Sequence, residues 1–497
     1  MKQSYIKIKK QGKWSMLNSK WSMVNTKWSM VNSKWSIVNS KYLLLSLLFY
    51  GCVSDSADNP AFGEKDLPHI YMTWQTTMAY KLGQTISFQP QVSPSDGATY
   101  RWTLNGEEIA TTKDLSYKLD DFLFDAELKF EATRNGITNS RTATVVVTKD
   151  FVPKPDHLKI FGFLTKDGSL ADVDWESITH LVVSSAVVKE DGSLDLSFAQ
   201  SLDIPTLLAF AHHYGVYVIM EVSGVIRYLN SYPLYGSLTF YDPAVSNPDA
   251  LAANIQQAMK NYGFDGVNIY MDKSISDTYD NPAAVKVFYE KVADLIKSDK
   301  NTIDGNEYNY LMTMSVVGGW TRGTLANVIN LPQYDYVNVL AFLDEQLYPV
   351  SMGSVSFATN EIQAWLTWAG LGVDDPSRLI LIAPAVGIRY FGIPANYTWA
   401  NLETYTEYIS YRQICADYPN APAVIPAVIV ITENNNDMKK EVNKIYYNGL
   451  RDMERRVNEI VIPKNLGGIG LWSLENDSKD PSQSLLKKLK TTLDASE

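Results

Sequence analysis

The chain has few of the residues that build covalent or metal-bound frameworks. It contains two cysteines, Cys52 and Cys415, and five histidines among its 497 residues. So few cysteines predict no structural disulfide. The His212–His213 pair has no carboxylate at a ligand spacing and is predicted to lie on a helix surface, and the acidic segment 274–282 lacks the spacing of a calcium loop. We expect neither a metal ion nor a cofactor.

The apolar run near the N-terminus is too short to cross a membrane. This run, YLLLSLLFY at 42–50, follows four tandem heptads of the KWSMVNS type at 13–40, and it has nine residues against about 20 for a spanning helix. That length suits the apolar region of a signal peptide. Residues 49–52, Phe-Tyr-Gly-Cys, resemble a bacterial lipobox, in which the Cys is lipidated after cleavage. We therefore predict a leader over 1–51, lipid attachment at Cys52 and a polar tether over 52–67.

Basic residues are scarce after the leader. Nine of the 44 Lys and Arg residues and none of the 55 Asp and Glu residues lie in 1–51, so the rest of the chain carries a net charge of −20. Such an acidic body repels nucleic acid and anionic membrane surfaces, and a neutral ligand fits it better. Aromatic residues make up 12% of the chain, a proportion that fits either large cores or a surface that stacks on sugars.

Residues 68–150 alternate apolar and polar side chains with period two. Segments such as 85–92 and 99–106 are separated by turn-forming sequences, which predicts a small antiparallel β-sandwich with Trp102 in its core. The stretch YRWTLNGEEI, residues 100–109, resembles a strand of immunoglobulin-like or PKD-like modules. We interpret this domain as a rigid spacer rather than a second binding site.

Residues 156–495 alternate buried strand-like runs with helical patterns, which predicts an α/β fold with parallel strands. Eight strands in this order predict a (β/α)8 TIM barrel, with a long excursion between the seventh and eighth strands, whose working surface lies at the C-terminal ends of the strands. The predicted strands are 158–164, 179–187, 216–224, 266–272, 310–319, 336–342, 378–387 and 467–474. The predicted helices are 198–214, 248–262, 282–298, 322–330, 359–370 and 438–457.

The segment NYGFDGVNIYMD, residues 261–272, is similar to the strand 4 signature D-G-x-D-x-D-x-E of glycoside hydrolase family 18, which contains chitinases and endo-β-N-acetylglucosaminidases. Four further segments resemble strands 3, 6, 7 and 8 of that family in the same order along the chain. They are GVYVIMEVSG (215–224), YDYVNVLAFLDE (334–345), SRLILIAPAVGIR (377–389) and GGIGLWSLEND (467–477).

The resemblance implies substrate-assisted catalysis, but this sequence departs from the pattern that performs it. In the family a Glu protonates the leaving oxygen, and the attacking acetamido group is held by an Asp two residues earlier and by a Tyr on strand 6. This chain keeps Asp265–Gly266 but has Asn268 and Tyr270 at the next two acidic positions. Asp272 replaces the Glu, and its shorter side chain falls about 1 Å short, a misplacement that can reduce the rate about 100-fold. Phe342 replaces the Tyr.

The aromatic side of the implied site is better preserved than its acids. Trp472 lies where the family stacks a pyranose ring, and other aromatic and acidic residues follow the predicted strands. The candidate ligand-binding residues are Trp472, Tyr270, Asp272, Phe342, Asp344, Trp320 and Tyr390.

These features predict a carbohydrate-binding lipoprotein of the outer membrane and cell surface. Its barrel would hold a glycan containing N-acetylglucosamine, and the protein resembles the glycan-binding lipoproteins that Bacteroidota place beside their importers, which implies importer proteins as partners. Two alternatives stay open. One is a slow endo-β-N-acetylglucosaminidase or chitinase that uses Asp272 as its general acid. The other is a scaffold whose barrel binds only a partner protein, for which no groove beside Trp472 is needed.

Overall fold

The computed structural model of the protein describes residues 67–496 apart from internal gaps. The gaps are 74–75, 156, 225–226, 230–231, 235–237, 272–281, 318–324, 326–327, 343–352, 368–371, 391–405, 426 and 434–441. The predicted leader, the lipid-attachment residue Cys52 and the predicted tether up to residue 66 lie outside the described residues.

The N-terminal domain consists of short β-strands. They are β1 (His69–Tyr71), β2 (Thr77–Lys81), β3 (Thr85–Phe88), β4 (Gln91–Ser93), β5 (Thr99–Leu104), β6 (Glu107–Ala110), β7 (Leu115–Lys118), β8 (Leu123–Arg134) and β9 (Ile137–Thr148). Five of them form one sheet in the order β2–β9–β8–β5–β6, while β3 pairs with β7 and β1 pairs with β4.

Turn chemistry and one tryptophan explain how this domain folds. Asn105–Gly106 and Asn135–Gly136 join β5 to β6 and β8 to β9, and all four residues have positive φ, as the two-residue turns of tight hairpins require. The predicted core residue Trp102 is fully buried, and its ring centroid lies 5.8 Å from that of Phe88 and 4.5 Å from that of Phe130. The prediction of a small β domain with Trp102 in its core is therefore confirmed.

The larger domain is a closed parallel barrel. Its strands are β10 (Lys159–Leu164), β11 (His180–Val188), β13 (Tyr217–Ser223), β16 (Gly266–Tyr270), β19 (Leu311–Val317), β20 (Tyr336–Leu340), β21 (Leu379–Pro384) and β26 (Gly468–Trp472). Neighbours in this series pair in parallel, and β10 pairs with both β11 and β26, which closes the ring. The predicted (β/α)8 barrel is confirmed, with every predicted strand in place.

Helices connect the barrel strands, and short hairpins extend some loops. The helices are α1 (Phe198–Ser201), α2 (Ile204–His213), α3 (Leu238–Ser246), α4 (Pro248–Tyr262), α5 (Pro282–Lys297), α6 (Val355–Thr367), α7 (Tyr411–Asp417), α8 (Leu450–Arg456) and α9 (Leu485–Asp494). The additional strands are β12 (Leu194–Asp195), β14 (Arg227–Leu229), β15 (Tyr232–Leu234), β17 (Lys300–Ile303) and β18 (Asn306–Asn309). Most of the predicted helix 322–330 lies outside the described residues.

Local sequence explains where two of these helices begin and end. The single helix predicted over 198–214 is interrupted, because the Asp203 side chain accepts a hydrogen bond from the Thr206 backbone N–H and starts a new helix. Helix α4 has Pro248 in its first turn and ends at Gly263, whose φ of 77° lies in the left-handed region that glycine adopts without strain.

The excursion between the seventh and eighth barrel strands is a separate antiparallel sheet. Its strands β22 (Val386–Tyr390), β23 (Thr406–Ser410), β24 (Val428–Glu433) and β25 (Val442–Tyr446) pair in the order β23–β22–β25–β24. The prediction of one helix over 438–457 is wrong here, because β25 pairs with strands on both sides and the helix begins only at Leu450. These distant strands override the local helical pattern.

The small domain packs against the N-terminal ends of the barrel strands. Phe151 is buried between the ring of Tyr217, at the start of β13, and that of Tyr308 in β18. As predicted, the two histidines lie on the surface of a helix, α2, but they are half-buried rather than exposed. His213 stacks on Phe122 with ring centroids 3.8 Å apart, and the His212 ring packs against Phe151. Both histidines therefore belong to the contact between the domains.

Candidate functional site

A cavity of about 570 Å³ opens among the C-terminal ends of the barrel strands. One side of it is apolar and includes Trp472, Phe342 and Leu340, and its polar residues come from several strands and loops. The described residues that line it are Thr165, Lys166, Asp167, Ser184, Ser185, Val187, Asp195, Ser197, Phe198, Glu221, Ser223, Gly224, Tyr270, Leu340, Phe342, Trp472, Ser473, Glu475 and Asn476.

The structure brings three of the predicted ligand-binding residues to this cavity. Trp472, Tyr270 and Phe342 line it, although they come from three different parts of the barrel. Tyr390 does not line the cavity. It is buried on β22 in the same apolar cluster as Phe342, and its ring makes an edge-on contact with Tyr446 at a centroid distance of 5.6 Å. The remaining predicted residues lie outside the described residues: Asp272, Trp320 and Asp344.

Trp472 and Phe342 form an aromatic wall. Trp472 is the last residue of β26, and its ring centroid lies 5.5 Å from that of Phe342 at an interplanar angle of 30°. Phe342 is buried, whereas Trp472 remains partly exposed toward the cavity. The indole face is thus held in place by packing and is available for a flat apolar surface, such as the C–H face of a sugar ring.

Asn268 occupies the interior of the barrel below this wall, and neighbouring strands hold its amide in one orientation. Its Nδ2 donates to Glu221 Oε2 at 3.0 Å and to Ser315 Oγ at 2.8 Å. Its Oδ1 accepts from Thr313 Oγ1 at 2.8 Å and from Asn338 Nδ2 at 3.1 Å. Because both hydrogens and both lone pairs are in use, Asn268 is a structural amide that fixes its neighbours.

Glu221 is a buried acid that the sequence analysis missed. It lies on β13 directly opposite Asn268 in register, and its side chain reaches the cavity. Burial raises the pKa of the Glu221 carboxyl to about 7. Ser184 and Asn268 act in the opposite direction and lower this pKa, but burial has the larger effect. The signal was present in the sequence, since Glu221 is the one charged residue in the apolar run 216–224.

Asp265, the first acid of the strand 4 signature, lies away from the cavity. It precedes β16 at the N-terminal end of the barrel and is almost completely buried. Its Oδ2 accepts from the Val218 backbone N–H at 2.8 Å and lies 2.9 Å from His212 Nε2, while its Oδ1 accepts from Asn301 Nδ2 at 2.8 Å. Asp265 therefore holds the strands together and does not line the cavity.

Further carboxylates stand at the edge of the cavity. Glu475 accepts hydrogen bonds from Thr165 Oγ1 at 2.5 Å and from Ser473 Oγ at 2.7 Å, which orients it beside Trp472. Asp167 and Asp195 line the same opening. Oriented carboxylates of this kind accept hydrogen bonds from the hydroxyl groups of a sugar.

Within the described ranges, no group of three or more His, Cys, Asp or Glu side chains is arranged to hold a metal ion. No helix in the part of the chain that the structure describes is long and apolar enough to cross a membrane.

The fold is that of a TIM barrel with a cavity at the C-terminal ends of its strands. The family model for glycosyl hydrolases family 18 matches residues 159–477, and a PKD-like domain matches residues 68–133. The chain therefore belongs to glycoside hydrolase family 18 and carries a PKD-like domain before its barrel. Both parts of the predicted family resemblance are confirmed.

Solved structures with this fold include chitinases and a protein described as a pseudo-chitinase. Human YKL-39, described as a pseudo-chitinase with retained chitooligosaccharide binding properties, is 15% identical with a TM-score of 0.51, and the match covers 68% of this chain and 100% of that one. The Group IV chitinase of Ostrinia furnacalis is 16% identical with a TM-score of 0.50 and coverages of 68% and 100%. At these identities the similarity shows a shared fold. None of the curated proteins compared with the chain matches its sequence significantly.

Proposed function

We propose that the protein binds an oligosaccharide containing N-acetylglucosamine in the cavity beside Trp472 and does not cleave it at the rate of a hydrolase. The observation that carries this proposal is the set of side chains in the second half of β16. Where the family signature has two acids, this strand has Asn268, whose hydrogen bonds are all used inside the barrel, and Tyr270, which lines the cavity without a negative charge. A developing cation would find no carboxylate at either position.

The shape and chemistry of the cavity support a neutral sugar as its ligand. Its volume lies in the range of small-molecule sites, and it combines an aromatic wall with oriented carboxylates. Trp472 offers a face for the C–H side of a sugar ring, and Glu475 offers an acceptor for its hydroxyl groups. The pseudo-chitinase described for human YKL-39 supports the same combination of this fold with binding of chitooligosaccharides.

The proposal is tested by titrating chitotriose and chitohexaose into purified protein in a calorimeter. We expect saturable binding by the wild type, and a loss of affinity of about tenfold or more for Trp472→Ala, because the stacking surface is removed. Tyr71→Ala is the matched control, since Tyr71 is 62% exposed in the small domain and should not affect binding. The proposal would be refuted if the wild type bound neither chitooligosaccharide in the calorimeter and also bound no glycan on an N-glycan array.

A cleavage assay separates binding from the alternative of a slow endo-β-N-acetylglucosaminidase or chitinase. Labelled chitohexaose and an N-glycan are incubated with the protein, and the products are measured by mass spectrometry. We expect no product release at a hydrolase rate. Turnover that Asp272→Ala abolishes would instead establish an enzyme that uses Asp272 as its general acid.

We further propose that the protein is a lipoprotein of the outer membrane and cell surface, anchored through Cys52, where importer proteins would be its partners. The residues Phe-Tyr-Gly-Cys at 49–52, directly after the apolar run 42–50, support this proposal. Metabolic labelling with a fatty acid should mark the wild type and leave Cys52→Ser unlabelled. Equal labelling of both would refute the anchor, and protease treatment of intact cells tests surface exposure.

A further inference from the structure

Two polar groups of the cavity, the Glu221 carboxyl and the Ser184 hydroxyl, take no part in the sugar contacts proposed above. Glu221 is 6% exposed and its carboxyl group accepts one hydrogen bond, from Asn268 Nδ2 to Oε2. Ser184 lies beside it on β11, in a bulge between Val183 and Ala186. Its buried hydroxyl completes no hydrogen bond of good geometry, although it is close enough to the Glu221 carboxyl to favour the charged form. Both residues line the cavity. A buried polar group without a partner is costly, so a bound ligand that supplies one is stabilised there.

The surroundings of Glu221 offer it no compensating positive charge. Within the described ranges, no Lys, Arg or His forms an ion pair with it, and Lys166 on the same cavity pairs with Asp167 at 2.8 Å. Of the ionisable residues on neighbouring strands, His180 has its pKa lowered by burial to about 3 and stays uncharged. The other ionisable side chains of the cavity in the described residues are Tyr270, Asp195 and Glu475.

We propose that Glu221 contacts the bound glycan as a neutral carboxylic acid, so that ligand binding favours the protonated protein. The inference rests on the proposed function, because it needs a glycan in this cavity. The Asn268 amide can only donate to Oε2, which leaves the proton on Oε1, where it can be donated to a hydroxyl or carbonyl oxygen of the ligand. Ser184 provides a second hydroxyl beside it.

The electrostatics of the buried acid support a proton-linked site. Burial raises the pKa of Glu221 to about 7 in the unliganded cavity. A neutral sugar displaces water from that cavity and raises the cost of the charged form further. The ligand therefore binds the protonated fraction of the protein, and its apparent affinity falls as that fraction falls.

The first experiment measures chitotriose affinity from pH 5.5 to pH 8.5, with calorimetry at pH 8 in buffers of different ionisation enthalpy. We expect nearly constant affinity below pH 7, about tenfold weaker binding at pH 8 and the uptake of about one proton per ligand at that pH. Glu221→Gln keeps a neutral donor and should bind with no pH dependence and no proton uptake. Glu459→Gln, an exposed carboxyl paired with Arg455, is the matched control and should keep the wild-type profile.

The outcomes separate this inference from the proposed function. Binding that is independent of pH, with no proton uptake by the wild type, overturns the role of Glu221 while carbohydrate binding stands. No binding at any pH overturns both. Because proton uptake is measured on the wild type, the test does not depend on how well Glu221→Gln folds.

Discussion

A single buried carboxylate, that of Asp265, joins three chain segments at the N-terminal end of the barrel. It accepts hydrogen bonds from the start of β13 through Val218 and from the β17–β18 hairpin through Asn301, and it lies beside His212 on α2. Glu221, at the other end of β13, is also buried but lacks a positively charged partner among the described residues. The two acids of this region therefore have different effects: Asp265 stabilises the fold, and Glu221 belongs to the cavity.

Replacing Asp265 with Ala should destabilise the protein without changing the cavity. The Val218 N–H and the Asn301 amide would lose their buried acceptor, at a cost of about 3 kcal/mol in the free energy of unfolding. Asp494→Ala, which removes an exposed carboxylate from a surface pair with Lys490, should change stability by less than about 1 kcal/mol. Chemical denaturation measures both, and glycan affinity per folded molecule should equal that of the wild type. A large loss of affinity would place Asp265 in the ligand site.

The protonation of Glu221 should also appear in the stability of the unliganded protein. Below pH 4.5, the ordinary pKa of a glutamate, the Glu221 carboxyl is protonated in both the folded and the unfolded protein. Between pH 4.5 and about 7, only the unfolded chain releases this proton, so the stability of the wild type falls as the pH rises. Above that window the difference is constant. Glu221→Gln should therefore gain stability relative to the wild type across this range, reaching about 3 kcal/mol. Thermal unfolding of both proteins at pH 4.5, 6 and 8 checks this, and a constant difference would contradict it.

At the scale of elements, the β17–β18 hairpin connects the small domain to the barrel. Its turn has Asp304 and Gly305 at positive φ, and the Asp304 carboxylate accepts from the Phe151 backbone N–H at 2.8 Å and pairs with Lys81 of β2 at 2.7 Å. On the barrel side of the same junction, Lys154 Nζ donates to the carbonyls of Trp175, Glu176 and Ile178. The segment 151–154 between the domains is thus held by hydrogen bonds to both of them, which suits a spacer of fixed orientation.

Removing the buried ring of Phe151 should loosen this junction. Phe151→Ala leaves a cavity among the rings of His212, Tyr217 and Tyr308, and we expect a loss of about 3 to 5 kcal/mol in the free energy of unfolding. The neighbouring Val152 is 71% exposed, and Val152→Ala should change stability by no more than about 0.5 kcal/mol. Differential scanning calorimetry compares the two variants. Equal effects would show that the ring does not hold the domains together.

At the scale of the whole molecule, the contact with the small domain and the cavity lie at opposite ends of one barrel. The small domain contacts the N-terminal ends of the strands, and the cavity opens at their C-terminal ends. Residues 67–497 form one compact unit. Mutations at the junction are therefore expected to change stability, and mutations at the cavity are expected to change binding.

The charge of the molecule leads to a prediction about salt. The chain carries a net charge of −20 from residue 52 onward, yet a neutral sugar neutralises no charge on binding and releases no counterions. Affinity for chitotriose at fixed pH should therefore change less than about twofold between 50 mM and 500 mM sodium chloride. A strong fall in chitotriose affinity with salt would contradict binding without charge neutralisation.

The sequence by itself determined the barrel and the small β domain, because period-two alternation, buried strand runs and turn residues are local features of the chain. It also placed Trp472, Tyr270 and Phe342 near one another, since the C-terminal ends of parallel strands meet at one edge of a barrel. It could not separate the roles of Asp265 and Glu221, because a carboxylate acquires its function from burial and from partners that are 36 to 53 residues away. Only the tertiary structure brought those partners together, and only it showed that residues 442–446 of the predicted helix 438–457 form a strand paired on both sides, with the helix starting at Leu450.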